Sequence, residues 1–350
     1  MTLRALHDVP APAKLNLFLH VVGRRDDGYH LLQSLFVLVD WADRLHFERR
    51  DDGALARHDL RTDAALALPD DDLCLRAARA LKAASGCPIG VDIHLDKRLP
   101  AGAGMGGGSS DAASTLLALN RLWGLRWPRA RLAEIGLALG ADVPFFIGGE
   151  NAFVEGIGER LTPVRVPELS YAVVKPPVSI ETRSIFTHPL LRRDTEPVSL
   201  PVILTGSSGG RDSRTFADPG DTGPGASRAW VSAGTLVGDR ASEWAGAWVR
   251  EGGFGRNDLQ PPAEDRCPEV AEAARWLQAR YGNSRMTGSG SAVFARVSSN
   301  SQSLNPGTAA SIEAKPALAA APEFPADLPV GWVGRMCKGL ARHPLADWAG

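Results

Sequence analysis

The chain has 350 residues, 44% of them hydrophobic, and a formal net charge of −1 at pH 7; this length and apolar content predict two folded domains rather than one. Its basic residues occur as scattered pairs and not as a continuous patch, so we expect no nucleic-acid partner. No apolar run reaches the length of a membrane span and the N-terminus lacks the core of a signal peptide, so we expect a cytoplasmic protein without a membrane partner.

The first half of the chain shows strand and helix patterns in alternation. Leu15, Leu17 and Leu19 alternate with other residues as in a half-buried strand, whereas the apolar residues after the acidic run 70–72 recur at helical spacing. That acidic run supplies caps for the helix. The predicted elements are strands near residues 15–20, 36–47 and 91–95 and helices over 73–84, Ser109–Leu122 and Arg129–Leu139.

The second half adds further strands and helices and two stretches of low complexity. The stretches 205–227 and 298–322 are rich in small residues and proline, and we expect them to be flexible because they cannot bury enough apolar surface to offset the cost of ordering. The whole pattern predicts an α+β fold. The predicted elements here are strands at Tyr171–Val174 and Ala292–Val297 and helices near Ala241–Arg250 and Pro268–Tyr281.

The most informative segment is Leu99–Ala113, in which five glycines and two serines lead into an Ala/Leu-rich helix. Without a Cβ, glycine can adopt positive φ and let backbone N–H groups approach an anion. The helix that follows adds unpaired N–H donors and the positive end of its dipole. The segment therefore predicts a binding site for a nucleotide phosphate.

Three other interpretations of these glycines compete with a phosphate loop of this kind. The spacing Gly102-x-Gly104-x-x-Gly107 also fits a dinucleotide-binding fingerprint, but no second strand ending in an acidic residue follows about 20 positions later. A P-loop requires Lys before Ser or Thr, whereas Gly108 directly precedes Ser109. A flexible loop without a ligand would have to order many glycines at a high entropy cost.

The segment Pro100–Ala113 resembles the phosphate loop of the GHMP kinases. Further blocks in the expected order are Pro12–His20 with Gly23–His30 near the N-terminus, Leu139–Phe146 in the middle and Arg285–Phe294 near the C-terminus. Several of these blocks are most similar to a member of that family whose substrate is a sugar alcohol linked to cytidine. The resemblance covers most of the chain.

The resemblance implies an α+β, two-domain GHMP kinase fold. Residues 1–163 would form an N-terminal domain like domain 2 of ribosomal protein S5, and residues 164–350 a ferredoxin-like C-terminal domain. The active site would lie between them, with ATP and Mg²⁺ as cofactors and a small molecule as substrate. The protein would be a monomer or a homodimer.

The resemblance also implies two catalytic residues. Asp142 would be the base or the orienting group for the attacking hydroxyl; its alternative role is that of a turn or cap aspartate. Lys14 would lie beside Asp142, lower the pKa of its carboxyl and steady the developing alkoxide; its alternative role is that of a charge at a strand edge. Asn16, on the same strand face as Lys14, would bind substrate.

The ATP site is expected around the glycine loop. Ser109 or Ser110 could contact phosphate or Mg²⁺, or could instead cap the helix; no direct metal ligand is predicted beyond these two. Lys97 could reach the nucleotide or be a solvated lysine at a strand end, and the bend Thr287–Gly290 should close on the phosphates. Asp72 replaces the asparagine that helps to hold adenine in relatives. The predicted ATP-binding residues are Leu73, Lys97, Pro100, Ala101, Gly102, Ala103, Gly104, Met105, Gly106, Gly107, Gly108, Ser109 and Ser110.

Six residues are expected at the substrate: Asn16, Tyr29, His30, Phe36, Thr182 and Phe186. By resemblance, Tyr29 and Phe186 would stack on the two faces of cytosine while His30 bonds its edge. The alternative is that the two aromatic residues belong to the core and that His30 is a surface turn residue.

The resemblance implies an enzyme that transfers the γ-phosphoryl group of ATP to a hydroxyl of a cytidine-linked sugar alcohol, on a route to isoprenoid precursors. Another GHMP kinase, acting on homoserine, mevalonate or a sugar, is the first alternative. An NAD-binding oxidoreductase is a less favoured one. A non-catalytic relative is disfavoured because Lys14 and Asp142 are both present.

Overall fold

The structure is a computed structural model that describes residues 3–61, 68–166, 168–198, 255–297 and 324–349. Its mixture of strands and helices confirms the predicted α+β class. The strands are β1 (Ala5–Arg24), β2 (His30–Arg50), β3 (Leu55–Asp59), β4 (Gly90–Asp96), β5 (Ala152–Gly156), β6 (Arg160–Pro163), β7 (Ser170–Lys175), β8 (Ser284–Met286), β9 (Val293–Val297) and β10 (Val333–Leu340), and the helices are α1 (Leu73–Ser85), α2 (Gly107–Leu122), α3 (Arg129–Leu139), α4 (Val143–Gly148), α5 (Thr182–Phe186), α6 (Gln260–Arg266) and α7 (Pro268–Tyr281).

A long antiparallel hairpin of β1 and β2 organises the N-terminal half. β2 also pairs with β5 through residues 32–36 and with β4 through residues 44–50. β1 starts ten residues before the predicted strand and contains Pro10 and Pro12. Among the described strands β1 pairs with β2 alone, and a strand at a sheet edge tolerates proline because one side of it needs no donor.

Helices α1 to α4 cover one face of this sheet. Leu81 of α1, Leu117 of α2 and Phe146 of α4 share a buried core with Leu45 and Ile93 of the strands. The chain continues from α2 into α3 rather than into a parallel strand, and β4 runs antiparallel to β2. The dinucleotide-binding fold considered from the glycine spacing is therefore wrong, since it requires the helix after the glycine loop to lead into a strand parallel to the strand before that loop.

The C-terminal half contains a second antiparallel sheet in the order β10-β7-β9-β8. In chain order these are the fourth, first, third and second strands of this half, which is the arrangement of a ferredoxin-like domain. Helices α6 and α7 pack on it through residues such as Ala263 and Leu277. β7 and β9 confirm two predicted strands, and α7 begins and ends as predicted.

Strand β10 joins the two halves, because it pairs with β7 along most of its length and with β2 through Gly339 and Leu340. The domain boundary after residue 163 remains a prediction. The low-complexity stretches 205–227 and 298–322 and the predicted helix Ala241–Arg250 lie outside the described residues. In the part of the chain that the structure describes, no helix is long and apolar enough to span a membrane.

Candidate active site

Strand β1 and the start of α4 bring the two predicted catalytic residues together. The Nζ of Lys14 lies 3.5 Å from Oδ2 of Asp142 and 4.3 Å from the centre of the Phe36 ring. Burial lowers the pKa of the Lys14 ammonium, and the charge of Asp142 acts in the opposite direction. A buried ammonium beside a half-exposed carboxylate can stabilise negative charge at the mouth of this site.

Asp142 occupies the N-cap position of α4, yet its side chain makes no capping hydrogen bond. Its side chain is 29% exposed, so it can meet a ligand. The alternative role of Asp142 as a simple helix cap is therefore not supported. The strand-edge alternative for Lys14 is also not supported, because Lys14 is 3% exposed.

Asn16 connects the first motif, Pro12–His20, to the third motif, Arg285–Phe294. Its Oδ1 accepts hydrogen bonds from Nζ of Lys14 at 2.7 Å, from Oγ1 of Thr287 at 3.1 Å and from N of Gly288 at 2.9 Å, and its Nδ2 donates to Oγ of Ser34 at 2.9 Å. Asn16 is fully buried. Asn16 therefore positions Lys14, and its contact with substrate stays a prediction.

Phe36 also contacts Lys14. It is 5% exposed, and its ring packs edge-on against Phe145 while lying beneath the ammonium of Lys14. The Phe36 ring therefore supports the ammonium of Lys14, and its contact with substrate stays a prediction.

The glycine loop and the third motif pack backbone against backbone. Gly102, Gly104 and Gly106 have positive φ, as expected. A Cβ on Gly104 would lie 2.3 Å from the carbonyl oxygen of Thr287, and one on Gly106 would lie 3.0 Å from the Phe146 ring and 3.2 Å from Cγ of Lys14. Only glycine fits at these positions, so the loop's backbone can approach a ligand closely.

Helix α2 begins at Gly107, two residues earlier than predicted, because Gly106 in the left-handed conformation is the N-cap. Gly107 and Gly108 are the first residues of the helix and do not have positive φ. Glycine there leaves the unpaired N–H groups of the first turn sterically open, and no acidic residue occupies that turn. This end of α2 fits an anion such as a phosphate.

The two serines separate in role. Ser110 is fully buried and donates its hydroxyl to the carbonyl of Pro12 at 2.7 Å, so it fastens α2 to β1 and does not face a ligand. Its predicted contact with phosphate or Mg²⁺ is corrected accordingly. Ser109 is half-buried and remains the candidate for that contact. Neither serine is the N-cap.

Within the loop, Ala103 and Met105 are buried and pack with Leu99 in the core. Their side chains anchor the loop, so contact with ATP from these two residues is limited to their backbone. Ala101, Gly102 and Gly108 are exposed, and Pro100, Gly104, Gly106 and Gly107 are half-buried.

The environment of Lys97 differs from both expected ones, a contact with the nucleotide and a solvated position at a strand end. It is 7% exposed, so it is not a solvated lysine, and its Nζ bonds Asp43 at 2.5 Å and Asp111 at 2.7 Å. These two carboxylates raise the pKa of Lys97 despite its burial. Its contact with a nucleotide remains a prediction, but its main partners are these two acids beneath the glycine loop.

Leu73 starts α1 and points toward the loop, since a Cβ on Gly108 would lie 3.3 Å from its Cδ1. Asp72 caps α1 by accepting from N of Leu75 at 3.1 Å. It also pairs with Arg57 at 3.1 Å. The carboxylate of Asp72 is therefore already bonded to Leu75 and Arg57, and an adenine base would have to share it with them.

The predicted base-binding residues lie together at the turn between β1 and β2. The rings of His30 and Phe186 stack with centres 5.0 Å apart and an angle of 29°, and Tyr29 is 61% exposed. Phe186 packs on His30 in the structure, and the stacking of Tyr29 and Phe186 on the two faces of cytosine stays a prediction. Tyr29 is not a core residue, and its exposed ring is available to stack on a ligand.

Thr182, the first residue of α5, links the substrate side to the third motif. Its Oγ1 lies 2.8 Å from Oγ of Ser289.

Sequence reasoning missed Asp43, Asp111 and Arg193. Asp43 could have been found, because it lies at an inward-facing position of β2 between Trp41 and Leu45, where a charged side chain needs buried partners. Arg193 meets His30 and Phe186 only once the chain has folded, so no local sequence pattern identifies it.

Two family models match the chain. The model described as GHMP kinases N terminal domain matches residues 72–150, which include the glycine loop and Asp142, and the model described as GHMP kinases C terminal matches residues 240–311. The fold and the site therefore define a small-molecule kinase of the GHMP class.

Comparison with similar proteins identifies a particular family within this class. A 4-diphosphocytidyl-2-C-methyl-D-erythritol kinase from Methylibium petroleiphilum is 54% identical over 100% of both chains, and one from Variovorax paradoxus is 49% identical over 99% of this chain and 100% of its own. A crystal structure of 4-(cytidine 5'-diphospho)-2C-methyl-D-erythritol kinase, 33% identical, aligns with 83% of this chain and 89% of its own at a TM-score of 0.60. The chain belongs to the 4-diphosphocytidyl-2-C-methyl-D-erythritol kinase family of GHMP kinases.

Proposed function

We propose that this kinase transfers the γ-phosphoryl group of ATP to the 2-hydroxyl of 4-diphosphocytidyl-2-C-methyl-D-erythritol, a step in isoprenoid precursor synthesis. The observation that carries the proposal is the Lys14–Asp142 pair, 3.5 Å apart, beside a glycine loop whose backbone fits an anion. The names of the relatives support the choice of substrate.

Asp142 accepts the proton of the attacking hydroxyl, and the resulting oxygen forms a bond to the γ-phosphorus. The bond between that phosphorus and the bridging oxygen of ADP breaks at the same time. The ammonium of Lys14, 3.5 Å from the carboxylate of Asp142, stabilises the negative charge on the attacking oxygen. Asn16 keeps the ammonium in place through its hydrogen bond of 2.7 Å.

The triphosphate is bound by the glycine loop and the open N-terminus of α2. Among the described residues, no group of three or more His, Cys, Asp or Glu side chains could hold a metal ion. That suits Mg²⁺, which in phosphoryl-transfer enzymes takes most of its ligands from phosphate and water. Ser109 and Asp142 would complete its shell, and the ion would neutralise charge on the phosphates.

The cytidine end is proposed to bind between Tyr29, His30 and Phe186. Stacking on aromatic rings contributes affinity for any base, about 1–3 kcal/mol for each stacked base. Choice between bases must therefore come from hydrogen bonds at the edge, where a mismatched partner costs roughly 1–3 kcal/mol. His30 is the residue proposed to make that choice.

The catalytic assignment is tested by the variant Asp142→Asn. It should bind ATP as the wild type does but reduce kcat by about 10²–10⁴-fold, the usual contribution of a positioned proton acceptor. Steady-state kinetics and ATP titration measure the two effects. Lys14→Met should also lower kcat strongly, whereas Asp347→Asn, at an exposed position, should not. A near-normal kcat for Asp142→Asn would overturn the assignment of the base.

A further inference from the structure

One guanidinium ties together the two residues proposed to bind the base. The Nε of Arg193 donates to Nε2 of His30 at 3.1 Å, and its Nη2 donates to the carbonyl of Phe186 at 3.0 Å and to that of His188 at 3.1 Å. Its Nη1 donates to the carbonyl of Leu191 at 3.0 Å. Among the described residues, no carboxylate lies within ion-pair distance of Arg193, in contrast to Arg192, which pairs with Asp194.

This contact determines the protonation of the His30 ring. A guanidinium has only donors, so the Nε2 that faces it must offer a lone pair. Burial, followed by the charges of Arg193 and Arg24, lowers the pKa of His30, which keeps the ring neutral near pH 7. A neutral imidazole whose Nε2 is an acceptor carries its proton on Nδ1. Nδ1 is then the ring nitrogen left for a ligand, and it is a donor.

A donor at this position distinguishes the two common pyrimidine bases. N3 of cytosine has a lone pair, whereas N3 of uracil carries a hydrogen. An N–H group aimed at N3 therefore bonds cytosine and meets a second donor in uracil, which leaves both groups unpaired. The opposite tautomer would reverse this preference.

Building on the proposed function, we propose that Arg193 is a positioning residue for base selection. It fixes His30 as the Nδ1–H tautomer and holds the backbone of Phe186 against it, so that the site accepts a cytosine nucleotide and rejects a uracil nucleotide. Arg193 itself need not touch the base.

Two measurements on the full-length protein test this inference, with Arg193→Gln as the main variant and Arg192→Gln as the matched control at the neighbouring exposed position. The first is ¹⁵N NMR of histidine-labelled protein, with the His30 signals assigned through His30→Asn. The second is the affinity for CDP and for UDP by titration. Arg193→Lys, which keeps one donor for Nε2, serves as the conservative variant and covers the case in which Arg193→Gln fails to fold.

We expect the Nδ1–H tautomer of His30 in the wild type and in Arg192→Gln. In Arg193→Gln the ring should shift toward the Nε2–H form, and the preference for CDP over UDP should fall by about tenfold, the equivalent of about 1.4 kcal/mol. Arg193→Lys should retain the tautomer and part of the preference. A purely structural role would weaken both nucleotides equally and leave their ratio unchanged.

An Nε2–H tautomer in the wild type, or an unchanged tautomer and ratio in Arg193→Gln, would overturn the inference. The NMR measurement requires no nucleotide, so it tests the effect of Arg193 on the His30 tautomer independently of the substrate. If the wild type shows the Nδ1–H tautomer but no preference for CDP, the proposed substrate is contradicted instead.

Discussion

At the scale of single residues, the site depends on charged groups that the fold has removed from water. Lys14 and Lys97 are both buried, but their settings differ. Lys14 has one acidic neighbour and burial lowers its pKa, whereas Lys97 lies between the acidic residues Asp43 and Asp111 and its pKa is raised. Lys14 is therefore the more responsive of the two to charge that develops on a substrate.

The cluster of Asp43, Lys97 and Asp111 holds two acids and one base. Asp43 also accepts hydrogen bonds from the backbone N–H groups of Arg98 at 2.5 Å and Leu99 at 2.7 Å. Asp111 has a buried oxygen without a hydrogen-bond partner among the described residues. Burial, together with the charge of Asp43, raises the pKa of Asp111 to about 8.

This raised pKa predicts how stability depends on pH. The folded state binds a proton at Asp111 up to about pH 8, whereas the unfolded state releases it near the ordinary pKa of aspartate, about 4. The folded state thus binds more protons over this interval, and the free energy of unfolding should fall as pH rises through it.

Urea unfolding of the wild type and of Asp111→Asn between about pH 5 and about pH 8 measures this effect. The amide stays neutral, so the variant should gain at least about 1 kcal/mol relative to the wild type across the interval, since one pKa unit corresponds to about 1.4 kcal/mol. Asp26→Asn, at an exposed position, is the control and should show no such gain. Parallel pH curves for wild type and Asp111→Asn would contradict the protonation of Asp111.

Some of these residues could be predicted from sequence and others could not. Lys14, Asp142 and the glycine loop lie in contiguous motifs, and the structure brings them together. The partners of Asn16 could not be predicted, because Thr287 lies 271 residues away and meets it only after both halves have folded.

At the scale of elements, the glycine loop is shaped by backbone contacts at positive φ. Gly106 has a φ of 72° and a Cβ there would lie only 3.0 Å from the Phe146 ring, whereas Gly124 just after α2 has a φ of 69° and no atom within 4 Å of the place that a Cβ would take. The two positions share backbone strain and differ in their surroundings, which makes them a matched pair.

Gly106→Ala should weaken ATP binding at least about tenfold and lower kcat, because its Cβ would displace Phe146 and Lys14 as well as hinder the phosphate. Gly124→Ala should cost only the stability that a left-handed alanine costs, about 1 kcal/mol, and leave ATP binding unchanged. ATP titration and thermal unfolding of both variants separate the two effects. Equal ATP affinity in the two variants would show that the loop does not bind the phosphates.

The elements predicted best are those with a clear hydrophobic periodicity and a clear residue signal at their ends. α3 ends at Gly140 and α7 begins after Cys267 as the sequence indicates. The predicted start of α2 is wrong because serine is the commoner N-cap, whereas here a left-handed Gly106 takes that position. β10 was not predicted, since its residues alternate only weakly between buried and exposed.

At the scale of the whole molecule, the site is built where the two halves meet. β1 and the glycine loop come from the first half and Thr287–Gly290 from the second, and the backbone N–H groups of Ser291 and Ala292 bond the carbonyls of Gly102 and Ala103 at 3.1 and 3.2 Å. The long hairpin and β10 hold these parts in register. A site assembled from both halves can bind ATP on one side and the acceptor on the other.

The most direct measurement is the transfer of radiolabelled γ-phosphate from ATP to 4-diphosphocytidyl-2-C-methyl-D-erythritol, compared with its uridine counterpart and with free methylerythritol. We predict that the cytidine compound is phosphorylated with a kcat/KM at least about tenfold above that of the uridine compound, and that His30→Ala narrows this difference while Phe186→Ala weakens both. Equal phosphorylation of all three acceptors, or none of the cytidine compound, would contradict the proposed function.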